Sequence, residues 1–216
     1  MKVTTEACIM GAWTSVDQAK HILDIGAGTG LLSLMLAQRT QASIIGLEID
    51  REAAREAQSN FEHSPWKERL SCLNTSLQAF KTQAKFDQII CNPPFFKNHA
   101  LSDNSRRNHA IHTVSLTSED LARRIKTLLN PLGKATVLYP KYEQSQMKDI
   151  MRRFDFYPDK ELSIFNRPQD IEPLRQIVTY SSTQQSLETE NLLIRDQSND
   201  YSHEFIKLLK PYYLNL

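Results

Sequence analysis

No apolar run in this chain comes near the ~20 residues that a helix needs to cross a bilayer, and no long apolar stretch follows the opening residues "MKVTTEACIMGAW". A membrane-spanning helix is thereby excluded, and a secretory leader is not expected. An excess of one charge is also missing: 26 Lys and Arg stand against 25 Asp and Glu. Composition alone therefore points to no polyanion, and any contact with nucleic acid has to come from a local patch. Cysteine is sparse, with only Cys8, Cys72 and Cys91. Their number is odd and their spacing fits no metal knuckle, so no metal centre is expected. Cys72 and Cys91 sit in apolar runs and read as small buried residues in a reducing, cytoplasmic setting. Six glycines serve the whole chain, and one motif takes three of them. Internal repeats and low-complexity linkers are absent. What is present, 216 residues of which 40% are hydrophobic, suffices for one domain with a substantial core.

Strand-like and helix-like segments alternate. "HILDIG" (21–26), "SIIGLEID" (43–50), "RLSCLNTS" (69–76), "FDQIICN" (86–92) and "KATVLYP" (134–140) read as strands. Between them, "LLSLMLAQR" (31–39) and "REAAREAQSNF" (51–61) read as helices, the second with Asp50 as N-cap. Thr117 or Ser118 caps a further helix whose Leu121, Ile125, Leu128 and Leu129 fall on one face, and which Asn130, Pro131 and Gly133 stop. "EQSQMKDIMRRFDF" (143–156) is helical, "ELSIFN" and "RQIVTYSS" form an antiparallel pair, and "YSHEFIKLLKPYYL" supplies a short helix and a docking segment. The polar stretch 184–200 reads as a loop. Strands separated by helices imply parallel pairing with right-handed crossovers. The expected fold is α/β: a mostly parallel sheet of seven strands with helices on both faces and an antiparallel C-terminal pair.

The glycine cluster "DIGAGTG" (24–30) follows an apolar strand and opens a helix. In that context glycine allows positive φ and lets a ligand approach the backbone. A dinucleotide fingerprint would need a third Gly or Ala where Leu31 stands. The pattern Gly26, Gly28, Gly30, preceded by Asp24, instead resembles the signature of class I S-adenosylmethionine-dependent methyltransferases. That ligand has no phosphate; it has an ammonium and a sulfonium, which Asp24 can help hold, directly or through water. Glu48, ending the second strand, can accept from both ribose hydroxyls, although a dinucleotide protein would place an acid there too. Ile49 offers an adenine face, and Ser76 and Leu77 a further wall.

"QIICNPPFF" (88–96) ends a buried strand with an amide, two prolines and two aromatics. This resembles the Asn-Pro-Pro-Phe motif of methyltransferases that act on planar amino groups: adenine N6, guanine N2 or a glutamine amide. Such a nitrogen is conjugated, and its lone pair is a poor nucleophile. The Asn92 side-chain oxygen and the Pro93 carbonyl can accept its two N–H groups, which favours a tetrahedral nitrogen. Pro93 and Pro94 fix φ, so the acceptors need little reorganisation. Phe95 offers a stacking face worth roughly 1–3 kcal/mol, with Phe96 beside it. Alignment then does most of the work, and no dedicated base is required.

The segment 97–112, "KNHALSDNSRRNHAIH", holds Lys97, Arg106, Arg107 and three of six histidines against one acid, Asp103. Beside a base clamp these cations can grip phosphate and orient a flipped or single-stranded nucleotide. His112 is a candidate substrate contact, and Arg152, Arg153, Arg167, Lys207 and Lys210 are further candidate phosphate contacts.

Taken with the opening residues, "RRNHAIH", "DLARRIKTLLNPLGKATVLYP" and the C-terminal segment, these motifs resemble the bacterial family that methylates adenine N6 in valine tRNA beside the anticodon. The resemblance spans nearly the whole chain. It implies a single Rossmann-like methyltransferase domain over 1–216, S-adenosylmethionine as cofactor, tRNA as partner, no metal and a monomer. It also implies that Thr5 touches the methionine end of the cofactor. The chain departs from the family pattern near its start, where Thr4, Glu6 and Ala7 replace Gly, Asp and Gly. Relatives carry about twenty residues before this point, so a short N-terminal extension is expected to be missing. Two other readings remain open at this stage. One is methylation of another planar amine, such as guanine N2 of ribosomal RNA or a protein glutamine. The other is a non-catalytic RNA-binding module, which the intact Asp24, Gly26, Gly28, Asn92 and Pro93 argue against.

Overall fold

The computed structural model describes residues 3–93 and 116–215. Along the chain run α1 (Thr5–Trp13), β1 (His21–Ile25), α2 (Leu31–Ala37), β2 (Ser43–Glu48), α3 (Arg51–Glu62), β3 (Leu70–Asn74), β4 (Phe86–Cys91), α4 (Ser118–Leu128), β5 (Leu129–Tyr139), α5 (Lys141–Arg153), β6 (Tyr157–Phe165), β7 (Arg175–Ser181), β8 (Glu188–Leu193) and α6 (His203–Leu209). The strands form one sheet in the order β3-β2-β1-β4-β5-β7-β6-β8. The first five are parallel. β7 is antiparallel to both β5 and β6, and β8 runs parallel to β6. The α/β class, the parallel sheet and the antiparallel pair are thus as expected, and an eighth strand is added.

Both faces of the sheet are covered, and alternate strand residues feed two cores. Ile22, Ile44, Ile90 and Ile177 pack with α1, α2, α3 and α6. Leu23, Ile25, Ile89, Val137 and Val178 pack with α4 and α5. Caps fix where helices begin. Asp50 Oδ1 accepts from Ala53 N (2.8 Å) and Thr117 Oγ1 from Asp120 N (3.0 Å), each satisfying an otherwise orphaned amide of the first turn.

Four differences from the sequence expectations have physical causes. Helix α1 went unanticipated: Ala7 to Gly11 are all buried, so it has no polar face to reveal a helical period. The stretch 184–200 contains β8, whose first four residues are exposed and which is held by backbone pairing to β6 rather than by an apolar pattern. β5 starts at Leu129, ahead of the expected Lys134. Its register against β4 jumps from Phe86↔Leu129 to Gln88↔Lys134, so Pro131 is accommodated in a bulge. Finally, Cys72 is only half-buried, whereas Cys91 and Cys8 are buried, and all three thiols are free.

Candidate active site

The carboxyl ends of β1, β2 and β4 meet at one edge of the sheet. β1 turns there through Gly26, Gly28 and Gly30, with φ of 74°, 58° and 86°, in the left-handed region that L side chains avoid. The glycines serve different ends. A Cβ on Gly30 would stand 2.4 Å from Phe61 Cε1, so this position exists to seat α2 against α3. A Cβ on Gly26 would meet nothing within 4 Å, so here the bare backbone faces open space that a ligand can fill. The turn is closed by Gly26 N and Ala27 N donating to the Leu47 carbonyl at 2.8 and 3.0 Å.

Asp24 lies fully buried at the end of β1. Ser33 Oγ in α2 donates to its Oδ2 at 2.8 Å, while Oδ1 has no partner among the described residues. Burial above all, with Glu48 nearby adding repulsion, pushes the Asp24 carboxyl up to about 7. A buried acceptor without a donor is costly. Its simplest explanation is a cationic or N–H-bearing group that arrives with a ligand.

Glu48, at the end of β2, is also buried. Its Oε2 accepts from Gly28 N (2.8 Å) and its Oε1 from Asp50 N (2.9 Å). These bonds fix the plane of the carboxylate, and each oxygen keeps a second lone pair. Ile49 follows with its side chain 52% exposed, although it sits at the end of a buried strand. Asn74 Nδ2 donates to the carbonyls of Glu48 and Ile49, both at 3.0 Å, and so fixes the chain on which Ile49 is presented.

Asn92 follows β4. The ladder sets Ile90 opposite Asp24, and Asn92, two residues further, falls on the same face of the sheet. With strands ~4.8 Å apart and a rise of ~3.3 Å per residue, the two α-carbons lie roughly 8 Å from each other. Asn92 Oδ1 is buried and, like Asp24 Oδ1, has no hydrogen-bond partner among the described residues. Adjacent strands thus present two unsatisfied acceptors, a carboxylate beside the glycine turn and an amide oxygen nearer the rim. Pro93 beyond it is buried.

This geometry has counterparts. The family model described as "Methyltransferase small domain" matches residues 10–115. A protein of Bacteroides fragilis named tRNA1(Val) (adenine(37)-N6)-methyltransferase is 39% identical over 219 residues, which take in 100% of this chain and 92% of that protein. The chain belongs to this family. A member from Shewanella loihica with the same name is 38% identical, over 100% of this chain and 93% of its own. Among solved structures, a predicted O-methyltransferase of Agrobacterium tumefaciens superposes with a TM-score of 0.73 at 18% identity, covering 97% of this chain and 99% of that one. A ribosomal protein L11 methylase of Lactobacillus delbrueckii gives 0.59 at 17% identity over 84% and 79%. At those identities the structures share the methyltransferase fold.

The structure gathers Asp24, Gly26, Gly28, Gly30, Glu48, Ile49, Asn92 and Pro93 along one rim. Thr5 opens α1, which Thr4 caps through Ala7 N at 3.3 Å. Cys8, one turn on, lines a small cavity together with Leu31, so the start of α1 stands beside the glycine turn. Ser76 Oγ accepts from Ala79 N at 3.2 Å and shapes the loop after β3. Leu77 is buried in the core on the α4 side. Pro94, Phe95, Phe96, Lys97, Arg106, Arg107 and His112 lie outside the described residues.

Arg152 and Arg153, in the last turn of α5, are each engaged by an acid: Arg152 pairs with Asp149 (3.2 Å) and Arg153 with Glu119 in the first turn of α4 (3.9 Å). Lys210 is carried away from the glycine turn. The Pro211 carbonyl next to it accepts from Gln38 Nε2 (2.9 Å), just past the C-terminal end of α2. Arg167 does lie at the rim, in the loop from β6 to β7. Sequence reasoning missed Ser33 and Asn74. The signal for Ser33 was a lone hydroxyl within "LLSLMLA"; Asn74 gave none, since its role lies in the two carbonyls that it bridges.

Proposed function

We propose that the protein transfers a methyl group from S-adenosylmethionine to the exocyclic N6 of an adenine in tRNA, the adenine beside the anticodon of valine tRNA, and that it acts as a cytoplasmic monomer. The observation that carries this reading is the pair of buried acceptors, Asp24 Oδ1 and Asn92 Oδ1, that have no partner among the described residues and are held on one face by neighbouring strands. The names of the relatives supply the substrate: a tRNA adenine at N6.

The residues present fit the cofactor. Asp24 Oδ1 offers its free lone pairs to the ammonium, the open backbone at Gly26 admits the chain of the ligand, Glu48 accepts from the ribose hydroxyls, and Ile49 packs on the adenine. Thr5 and the loop at Ser76 bound the site. When bound, S-adenosylmethionine supplies a methyl carbon made electrophilic by its sulfonium. Asn92 Oδ1 and the Pro93 carbonyl accept the two N–H groups of the target amine. This withdraws the nitrogen lone pair from the ring and points it at the methyl carbon. Because both acceptors are part of a fixed strand end, they need no reorganisation as positive charge builds on the nitrogen. The amine becomes cationic on methylation, and water takes its proton, so the chain needs no general base. Phe95 and Phe96 stack on the base, and Lys97, Arg106, Arg107 and His112 hold its phosphates and flanking groups.

Incubation with total tRNA and labelled S-adenosylmethionine, followed by mapping of the modified nucleoside, tests the proposal. N6-methyladenosine in valine tRNA is the expected product. Label in guanosine or in protein instead would overturn it.

A further inference from the structure

Among the described residues, the large apolar side chains exposed at the carboxyl rim include Ile49, Tyr142, Ile171 and Leu174. Ile49 is taken up by the adenine of the cofactor. Tyr142 is 69% exposed, Ile171 92% and Leu174 39%, and the cofactor site uses none of them. Tyr142 stands in the first turn of α5, directly beyond the end of β5, the strand next to β4 and Asn92. Ile171 and Leu174 stand in the loop from β6 to β7. That loop returns to the same rim because β6 runs parallel to β5 and ends with Ser163 opposite Gln176, which in turn faces Tyr139. It is fastened at three points. Asp170 Oδ2 accepts from Asn166 N and Arg167 N at 3.1 and 2.9 Å, Leu174 N donates to the Ile164 carbonyl at 2.7 Å, and Glu172 pairs with Lys141 beside Tyr142.

We propose that Tyr142 and the 166–174 loop, with Ile171 at its exposed crest, form the docking surface for the bases that flank the methylated adenine. This rests on the tRNA reading of the clamp. A base that enters the clamp at Asn92 leaves its neighbours on the surrounding rim, and β5 is only one strand spacing, ~4.8 Å, from β4. The chemistry there selects bases over phosphates. Glu172 pairs with Lys141, and Lys141 and Arg167 stand against Asp170 and Glu172, so the formal charges of the surface cancel. Its large exposed apolar groups are an aromatic ring and two aliphatic side chains, set among exposed polar residues. Unpaired bases have apolar faces and stack on such groups without regard to sequence. Tyr142 supplies the ring, steadied by Gln146 Nε2 donating to its hydroxyl at 3.2 Å, and Ile171 and Leu174 supply the aliphatic wall.

The experiment compares wild type with Tyr142→Ala, Tyr142→Phe and Ile171→Ser on an unmodified valine-tRNA anticodon stem-loop. It measures kcat and KM for the RNA, Kd for S-adenosylmethionine, and Tm. Tyr142→Ala and Ile171→Ser are expected to raise the RNA KM by about tenfold, the range for removing one stacking platform, with cofactor Kd and Tm unchanged. Tyr142→Phe, which keeps the ring, should retain the wild-type KM. An unchanged KM in both Tyr142→Ala and Ile171→Ser, while wild type methylates the RNA, would overturn the surface alone. A parallel loss of cofactor affinity would overturn it too, because the effect would then be structural. If wild type methylates neither the stem-loop nor full-length tRNA, the tRNA reading falls and takes this surface with it.

Discussion

Asn92 and Asp24 each bury an oxygen that no described residue satisfies, but the proposed reaction gives them different tasks, so they should fail differently. In the proposed clamp, Asn92→Ala removes an acceptor of the target amine. Turnover should drop by about 10²–10³-fold, the range for loss of one preorganised polar group, with cofactor affinity nearly intact by calorimetry. Asp24→Ala should weaken cofactor binding itself. The Asp24 carboxyl also links folding to pH. Its folded-state value of about 7 lies above the ordinary 3.8, so between these values the folded protein holds a proton that the unfolded chain releases. Stability should therefore fall as pH rises from about 4 to about 7 and level off above. Over the same interval cofactor affinity should rise, because the ammonium requires an ionised partner. Asp24→Asn should flatten the stability profile, as read from Tm across pH; an unaltered slope would show that another group is responsible. At this scale the placement was legible: Asp24, the glycines, Glu48 and Asn92 announce their position at a strand end by residue type. Ser33 and Asn74 did not, because their function is a hydrogen bond to another residue, visible only once α2 packs on β1 and β3 pairs with β2.

Elements reveal themselves through periodicity, and the two that were missed lacked it. α1 is buried across five consecutive residues by its neighbours, so no polar stripe alternates with an apolar one. β8 is exposed over its first four residues, so no period of two appears. The helices α3 and α4, each half in water, were found almost to the residue, caps included. The glycine turn gives a prediction at this level. Gly30→Ala must place a methyl group against Phe61 at a positive φ, and should cost about 2–5 kcal/mol from backbone strain and overpacking combined. Gly26→Ala meets no neighbour and should cost only about 1–2 kcal/mol in stability, yet it should cut cofactor affinity more severely than Gly30→Ala does in whatever fraction stays folded. Chemical denaturation and calorimetry on the two variants separate these outcomes.

For the whole molecule, the alternation of strands and helices was enough to infer a parallel sheet. It was not enough to place β7 between β5 and β6, because that order depends on which strand edges remain free after collapse. Charge balance belongs to this scale as well. With a net charge of +1, RNA binding has to come from local cations. Replacing Arg106 and Arg107 by Gln should weaken tRNA binding and reduce the slope of log affinity against log salt by ~0.7 for each phosphate that is no longer neutralised. A slope equal to wild type would place the phosphate grip elsewhere. The last strand of the sheet has its own consequence. β8 borders water along one side, and the amides and carbonyls on that side are a standing invitation to strand-by-strand stacking between molecules. Glu188 and Glu190 stand on this border, the first paired with Lys160 at 2.7 Å and the second accepting from Trp13 Nε1 at 3.1 Å. Two such borders brought together would confront four carboxylates, so the acids act as a guard against fibrous association. Glu188→Val with Glu190→Val should remove that guard, and concentrated samples should then scatter light within hours of being left at room temperature.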